Sequence, residues 1–195
     1  MAPIARALAD EGYRVLIPQL PGYAGGPATD IRQTEAALRG LIGDVGQPDL
    51  VVAHSFAAMV LRLAFSEGAP RRVMLVAPVL DVTDALTVFG DRLRLFSWAR
   101  RGLRRRLEAW DPALWPTMSS AQPGQLPGAE VLILHDPGDS ETPFARSAEL
   151  AAVRPRTSIV AMEDTRHARI LSDERTLEEV ARFVSADPVS HHHVA

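Results

Sequence analysis

The amino-acid sequence predicts an α/β fold, in which a mostly parallel sheet is covered by helices on both faces. Short, continuous apolar runs recur along the chain, and helical patterns separate them. Strands that read as unbroken apolar runs are typical of a parallel sheet with both faces buried. Residues 81–128 interrupt this rhythm and predict a helical lid inserted over the sheet. The predicted strands cover residues 13–17, 50–53, 72–76, 130–135 and 158–162.

Turn and capping residues define the elements in the first part of the chain. Residues 3–11 predict a helix, which Gly12 ends. The Gly- and Pro-rich residues 19–28 predict a loop after the first strand. Asp30 followed by Gln33 resembles a capping box and opens the second helix. The apolar face of that helix comprises Ile31, Leu38, Leu41 and Ile42.

The later helices follow the strands in the same alternation. A helix is predicted directly after the strand at 50–53, another over about 144–152, and a last amphipathic helix carries Leu177, Val180 and Val184. We therefore assign residues 1–80 and 129–186 to one core. The tail over residues 187–195 is predicted to be disordered, and its histidines, His191 to His193, to be solvated rather than metal-bound.

The predicted lid over residues 81–128 has an unusual composition. It contains all three tryptophans, at positions 98, 110 and 115, and an arginine-dense stretch from Arg92 to Arg106. A lid in this position would cover the C-terminal edge of the sheet, where α/β proteins bind their ligands. The arginines favour a solvated helix face, and a patch for an anionic substrate or a membrane surface is the alternative.

Composition excludes several classes of function. The 195-residue chain has a formal net charge of −3, which gives no overall attraction to nucleic acid or to a membrane. The absence of cysteine excludes disulfides and thiolate metal sites. No signal-peptide pattern is present, and no apolar run reaches the ~20 residues of a membrane span. We expect a cytoplasmic protein with a small-molecule substrate, no cofactor, no metal, no nucleic-acid partner and no membrane span; the oligomeric state stays open.

The segment from Leu50 to Leu61 has the plan of a nucleophile elbow, which is a strand, a sharp turn, a serine and a helix. In such an elbow the serine hydroxyl is exposed, and the N–H groups of the following helix face the reacting centre. Only small side chains fit two positions before and after the serine. Ala53 and Ala57 meet this rule around Ser55 with alanine in place of the usual glycine. Serine is also a common helix cap, so this segment alone leaves both interpretations open.

A nucleophilic serine needs a general base and an acid that orients the base. In the nucleophile-elbow plan the acid follows the serine along the chain and comes after a late strand. The strand at 130–135 leads to Asp136 and Asp139. We favour Asp139, with Asp136 as the competing acid and with Asp81 and Asp84, after the third strand, as minor alternatives. The base is expected in a loop after the last strand, and His167 lies there. The other histidines outside the tail are His54, inside the elbow, and His135, at a strand end.

Together these segments resemble the α/β-hydrolase fold family, in its lidded serine-esterase branch. The matching segments are Pro21-Gly22, Ala53-His54-Ser55-Phe56-Ala57, Val131 to His135 leading to Asp139, and His167-Ala168-Arg169-Ile170-Leu171. The resemblance implies that Ser55 is the nucleophile, His167 the general base and acid, and Asp139 the orienting acid. It also implies that the Phe56 N–H contributes to the oxyanion hole. Members of this family usually cleave carboxylic esters or thioesters through an acyl-serine, and some cleave amides or C–C bonds.

The sequence departs from the family pattern at its front. In the family, a central strand that ends in His-Gly precedes the first helix, and its loop gives a second N–H to the oxyanion hole; this sequence has no His-Gly pair. We therefore expect that the family's N-terminal strands and oxyanion loop are missing and that the strands at 13–17 and 50–53 form no ladder with each other. We also expect that the chain aggregates or is unstable when made alone. Two hypotheses remain: a serine hydrolase, or a truncated or inactive relative that acts as a binding module.

Overall fold

The computed structural model of the protein describes residues 1–21, 29–65, 68–120 and 126–185. These residues form a four-stranded sheet and nine helices. The strands are β1 (Leu50–His54), β2 (Arg72–Val76), β3 (Glu130–His135) and β4 (Thr157–Ala161). The helices are α1 (Ala2–Asp10), α2 (Ile31–Val45), α3 (Ala57–Ala64), α4 (Val82–Arg92), α5 (Ser97–Trp110), α6 (Trp115–Met118), α7 (Phe144–Val153), α8 (Arg166–Arg169) and α9 (Glu174–Ser185). The predicted tail at 187–195 and most of the predicted loop at 19–28 lie outside the described residues.

The sheet is parallel throughout, with the strand order β1-β2-β3-β4. Met74 on β2 pairs in register with Val52 on one side and with Leu132 on the other. Because all strands run in the same direction, the segments that follow them meet at one edge of the sheet. That edge therefore receives the residues after β1, β3 and β4, which are the segments that the sequence predicts to be functional.

Helices cover both faces of the sheet, as the sequence predicts. Alternate strand residues such as Val73, Leu75 and Ile133 belong to a buried cluster with residues of α2, α3 and α7. Their neighbours, such as Met74 and Leu134, belong to a second cluster with residues of α1 and α9. This alternation follows from the two-residue period of a strand, and it explains why the strands read as unbroken apolar runs.

The predicted strand over residues 13–17 is wrong. These residues enter no ladder with β1 or with any other described strand, and β1 is the edge strand of the described sheet. Tyr13 and Val15 pack against the cluster on the α1 and α9 face, whereas Leu16 and Ile17 are exposed. The apolar, β-branched pattern satisfies strand propensity, but a strand also needs a hydrogen-bonding neighbour, and local sequence does not specify one.

The start of α2 agrees in part with the capping box that the sequence predicts. The Asp30 carboxylate accepts a hydrogen bond of 2.8 Å from the Gln33 N–H, as an N-cap residue does. The side chain of Gln33 does not return to the Asp30 N–H as a full capping box requires; its Oε1 accepts a hydrogen bond from the Thr29 hydroxyl. Asp30 is therefore a single-sided cap.

The inserted segment consists of α4, α5 and α6, and it contacts the core through its two ends. Leu114 and Met118 form a buried cluster with Met59, Val60 and Leu63 of α3. The buried Arg62 of α3 donates hydrogen bonds to the carbonyl oxygens of Leu80, Thr117 and Ser120 at 2.6, 3.2 and 2.6 Å. Burial lowers the pKa of Arg62 to about 10. The guanidinium thus joins the helix behind Ser55 to both ends of the insertion.

Candidate active site

Ser55 lies between β1 and α3, and its backbone conformation is rare for any residue other than glycine. Its φ angle is 56°, in the left-handed region, where a non-glycine residue carries strain. Its own N–H donates to the carbonyl of Val76 at 3.1 Å, which fixes the turn to the neighbouring strand. Ala53 is buried, so a larger side chain at that position would need space that the core does not provide. This geometry is that of a sharp strand-to-helix turn.

His167 approaches Ser55 from the segment after β4. The sequence predicts a loop there, whereas the structure places His167 in the short helix α8, preceded by two residues with positive φ, Asp164 and Arg166. The His167 Nε2 atom lies 2.9 Å from the Ser55 hydroxyl oxygen. Sequence separation between the two residues is 112 positions, so only the tertiary fold brings them together.

Asp139 contacts the other nitrogen of the same ring. Its Oδ2 atom lies 2.7 Å from His167 Nδ1, and the Asp139 side chain is fully buried. A carboxylate that accepts the Nδ1–H leaves the Nε2 lone pair directed at Ser55. The three residues therefore form a continuous chain of two hydrogen bonds, from carboxylate to imidazole to hydroxyl.

Several donors surround the Asp139 carboxylate. Oδ1 accepts the N–H groups of Glu141 and Thr142 at 2.7 and 3.2 Å, and Oδ2 also accepts the Thr142 hydroxyl at 2.8 Å. Burial acts to raise the pKa of Asp139, but hydrogen bonds from His135, His167, the Glu141 N–H and Thr142 outweigh burial and lower this pKa far below its ordinary range. The carboxylate is thus held ionised inside the protein.

The competing acids are placed elsewhere. Asp136 accepts hydrogen bonds from the N–H groups of Gly138 and Arg166, at 2.7 and 2.5 Å, so it fixes the turn before Asp139 and the start of α8. Asp81 caps α4 by accepting the Thr83 N–H at 2.7 Å. Asp84 pairs with Arg146 at 2.8 Å. Among the four candidate acids, Asp81, Asp84, Asp136 and Asp139, the structure brings Asp139 to His167 Nδ1.

Sequence reasoning missed the second layer around the carboxylate. His135, at the end of β3, is fully buried, and its Nδ1 lies 2.7 Å from the Ser147 hydroxyl oxygen. Its Nε2 lies 3.1 Å from the Thr142 hydroxyl oxygen and 3.5 Å from Asp139 Oδ2. The sequence contains one sign of this role, because His135 lies four residues before Asp139. The contact between His135 and the carboxylate through Thr142, however, forms only when the loop after β3 is folded.

His54 contributes a contact that the sequence does not indicate. Its Nε2–H donates to the backbone carbonyl of His167 at 2.9 Å, and the two imidazole rings lie 4.8 Å apart. Burial lowers the pKa of His54, and the hydrogen bond to the carbonyl only partly offsets that effect. Burial therefore favours the neutral form of His54, and its hydrogen bond holds the His167 backbone over the elbow.

The Phe56 N–H lies at the start of α3, directly after Ser55. No described residue accepts a hydrogen bond from this N–H, as is usual in the first turn of a helix. The partial positive charge of a helix N-terminus favours an anion at such a position. Around these residues, within the described ranges, no group of three or more His, Asp or Glu side chains is arranged to hold a metal ion.

Comparison with known proteins agrees with this architecture. A family model described as "Alpha/beta hydrolase family" matches residues 1–194. The chain belongs to the alpha/beta hydrolase family. A search of curated proteins finds no match to this chain.

Solved structures of low sequence identity share the fold of this alpha/beta hydrolase. An esterase from Exiguobacterium antarcticum has a TM-score of 0.64 at 17% identity, with 94% of this chain and 86% of that chain covered. A bromoperoxidase from Bacillus anthracis has a TM-score of 0.65 at 17% identity, with 95% and 86% covered. An esterase from Pyrococcus furiosus has a TM-score of 0.68 at 17% identity, with 95% and 74% covered.

In the part of the chain that the structure describes, no helix is both long and apolar enough to cross a membrane.

Proposed function

We propose that the protein is a serine hydrolase that cleaves a carboxylic ester or thioester through an acyl-serine intermediate. The observation that carries this proposal is the hydrogen-bonded chain from Asp139 through His167 to Ser55, with distances of 2.7 and 2.9 Å. The positive φ of Ser55 adds to it, because backbone strain concentrates at functional positions. Family membership supports hydrolysis, and the arrangement of these three residues supports the acyl-serine mechanism.

The first chemical step forms the acyl-serine. Ser55 Oγ attacks the carbonyl carbon of the ester while its proton moves to His167 Nε2. The carbonyl oxygen becomes an oxyanion, for which the free Phe56 N–H is a donor. When the tetrahedral intermediate collapses, the bond to the alcohol or thiol breaks, and His167 returns the proton to that leaving group. The product alcohol departs, and the acyl group remains on Ser55.

The second step repeats the same proton transfers with water. A water molecule gives a proton to His167 and attacks the acyl carbon, and the carboxylic acid leaves as Ser55 recovers its proton. In both steps Asp139 stabilises the imidazolium form of His167 and keeps Nε2 directed at Ser55. The buried, hydrogen-bonded state of the carboxylate suits this role, because the charge is fixed before the reaction begins.

We also propose that the insertion of α4, α5 and α6 is a lid over this site. Arg92 at the end of α4 pairs with Glu141 at 3.0 Å, and Glu141 Oε2 lies 3.8 Å from His167 Nε2. The last turn of α4 therefore lies close to the reacting groups. The side chains of this segment are accordingly expected to shape the acyl or alcohol pocket.

A non-catalytic relative that acts as a binding module is the second candidate. It is favoured by the absence of a His-Gly pair, which in the family supplies a second oxyanion N–H. Removing one oxyanion donor typically costs about 10²–10³ in kcat. Activity of the protein is therefore expected to be low if the Phe56 N–H acts alone, and zero if the chain only binds.

Hydrolysis of p-nitrophenyl acetate by matched variants tests the proposal. Ser55→Ala should abolish hydrolysis, and Asp139→Asn should lower kcat by about 10⁴ because it disturbs the tautomer of His167. Asp136→Asn is the control, since it removes the same charge three positions earlier. It should retain far more activity than Asp139→Asn.

Three outcomes would contradict this assignment. Equal activity of Ser55→Ala and the wild-type protein would exclude the acyl-serine mechanism. A wild-type protein without any esterase activity, although correctly folded, would favour the binding module. Retention of activity by Asp139→Asn together with loss in Asp136→Asn would move the acid role to Asp136.

A further inference from the structure

The turn between α4 and α5 exposes several large apolar side chains. Phe89, Leu93, Phe96 and Trp98 are between 50% and 73% exposed. They lie within ten consecutive positions, from the last turn of α4 to the first turn of α5. Scattered exposed apolar residues are ordinary, but four large ones within a single turn region indicate a surface that meets an apolar partner.

The same region is strongly basic. Residues 92–107 contain seven arginines and no acidic residue. Arg92, Arg100 and Arg104 form ion pairs with Glu141, Asp91 and Glu108. The remaining arginines form no ion pair with any described carboxylate; they are Arg94, Arg101, Arg105 and Arg106. This local charge contrasts with the net charge of −3 of the whole chain.

Helix geometry places one of these apolar side chains, Trp98, beside two of the arginines. Trp98, Arg101 and Arg105 follow each other at spacings of three and four positions, so they lie on one side of α5. All three are exposed, and α5 contains no buried residue at all. We define the arginine–tryptophan surface as Phe89, Leu93, Phe96, Trp98, Arg101 and Arg105.

We propose that the arginine–tryptophan surface binds the surface of an anionic lipid bilayer. Tryptophan and phenylalanine insert at the level of the lipid headgroups, while arginine pairs with their phosphates and carboxylates. A helix with an apolar and basic exposed face is typical of such interfacial binding. A nucleic-acid duplex would be met by the arginines alone and would leave the protruding Leu93 and Phe96 in water. The bilayer therefore accounts for both the charge and the apolar side chains.

The expected strength of membrane binding follows from the number of arginines on this surface that form no ion pair. Each arginine near an anionic membrane surface contributes about 1 kcal/mol, which is about fivefold in the partition coefficient. Replacing two of them should weaken binding by about 25-fold. The electrostatic part should also decline with salt, because the charges are exposed.

Co-sedimentation of the full chain with vesicles tests this proposal. One set of vesicles contains equal parts of phosphatidylserine and phosphatidylcholine, and the other contains phosphatidylcholine alone. The wild-type protein should bind the anionic vesicles and show a blue shift of tryptophan fluorescence. Arg101→Gln with Arg105→Gln should weaken this binding by about 25-fold, and Phe96→Ser with Trp98→Ser should remove the blue shift.

Matched control variants come from the opposite end of the sequence. Arg6 and Arg14 are exposed, so Arg6→Gln with Arg14→Gln changes the net charge by the same amount. Leu16→Ser with Ile17→Ser removes two exposed apolar side chains of another surface. Both control variants should bind as the wild type does, and circular dichroism of every variant should be unchanged.

Several results would overturn the proposal. These are absence of binding to the anionic vesicles, equal binding to both kinds of vesicle, and equal losses in the arginine variant and its control. Binding to a duplex oligonucleotide or to poly-glutamate at least as tight as to the anionic vesicles would assign the surface to a polyanion instead. None of these results depends on esterase activity, so the proposed function is tested separately.

Discussion

The hydroxyl of Thr142 provides a sharp test of how the candidate site is held together. This hydroxyl donates to Asp139 Oδ2 at 2.8 Å, and Thr142 is buried. Thr142→Val replaces the hydroxyl by a methyl group of nearly the same shape. It removes the hydrogen bond to Asp139, together with the 3.1 Å contact to His135 Nε2, and leaves the packing almost intact. Asp139 then retains its contact with His167 and the N–H groups of the loop.

The expected loss in the free energy of unfolding follows from the charge of the Asp139 carboxylate, which accepts the hydrogen bond. A hydrogen bond to a charged group contributes about 1.5–3 kcal/mol, and the lower half of that range applies because other donors remain. A loss of about 2 kcal/mol in the free energy of unfolding lowers Tm by about 4–8 °C in a protein of this size. The hydroxyl also fixes the carboxylate that orients His167, so we expect kcat to fall as well.

Thermal unfolding followed by circular dichroism measures the effect, and Thr176→Val is the matched control. Thr176 is also buried, but its hydroxyl has no hydrogen-bond partner among the described residues. The same chemical change there should leave Tm unchanged or raise it, since an unpaired buried hydroxyl is destabilising. Equal Tm losses in the two variants would refute the idea that the Thr142–Asp139 hydrogen bond stabilises the site.

Two further predictions concern His54 and Arg62. Burial keeps the pKa of His54 in the folded protein below its ordinary value of 6.5. Below about pH 6.5 the unfolded chain therefore binds more protons than the folded protein, and the free energy of unfolding should fall as the pH drops. In urea unfolding at pH 7 and pH 5.5, His54→Gln should show a smaller pH dependence than the wild type, and an unchanged dependence would exclude His54 as its source. Arg62→Met leaves three backbone carbonyls without their donor, so the free energy of unfolding should fall by about 3 kcal/mol or more, and a stability equal to the wild type would contradict this.

Much of the sheet could be predicted from sequence because its strands are local signals. The apolar runs at 72–76 and 130–135 match β2 and β3 residue for residue. The order of strands also brings the segments carrying Ser55, Asp139 and His167 to one edge, which follows from parallel topology alone. In the structure these three side chains lie 2.7 and 2.9 Å apart along the chain from Asp139 through His167 to Ser55.

What could not be predicted depends on contacts between distant residues. The apolar run at 13–17 forms no strand, because pairing is decided by a neighbour and not by propensity. The choice between Asp136 and Asp139 depends on which carboxylate the turn directs at His167, and sequence position alone leaves it open. The positions of His135 and Thr142 around the carboxylate likewise arise only when β3 and the following loop are folded.

Labelling with a fluorophosphonate, followed by peptide mapping, tests the central claim most directly. The probe phosphonylates an activated serine, so the proposed mechanism predicts a single adduct on the peptide that contains Ser55. The adduct should disappear in Ser55→Ala and be strongly reduced in His167→Gln, because the hydroxyl then lacks its base. An adduct on another serine, or no adduct on a correctly folded protein, would contradict the assignment of Ser55 as an activated nucleophile.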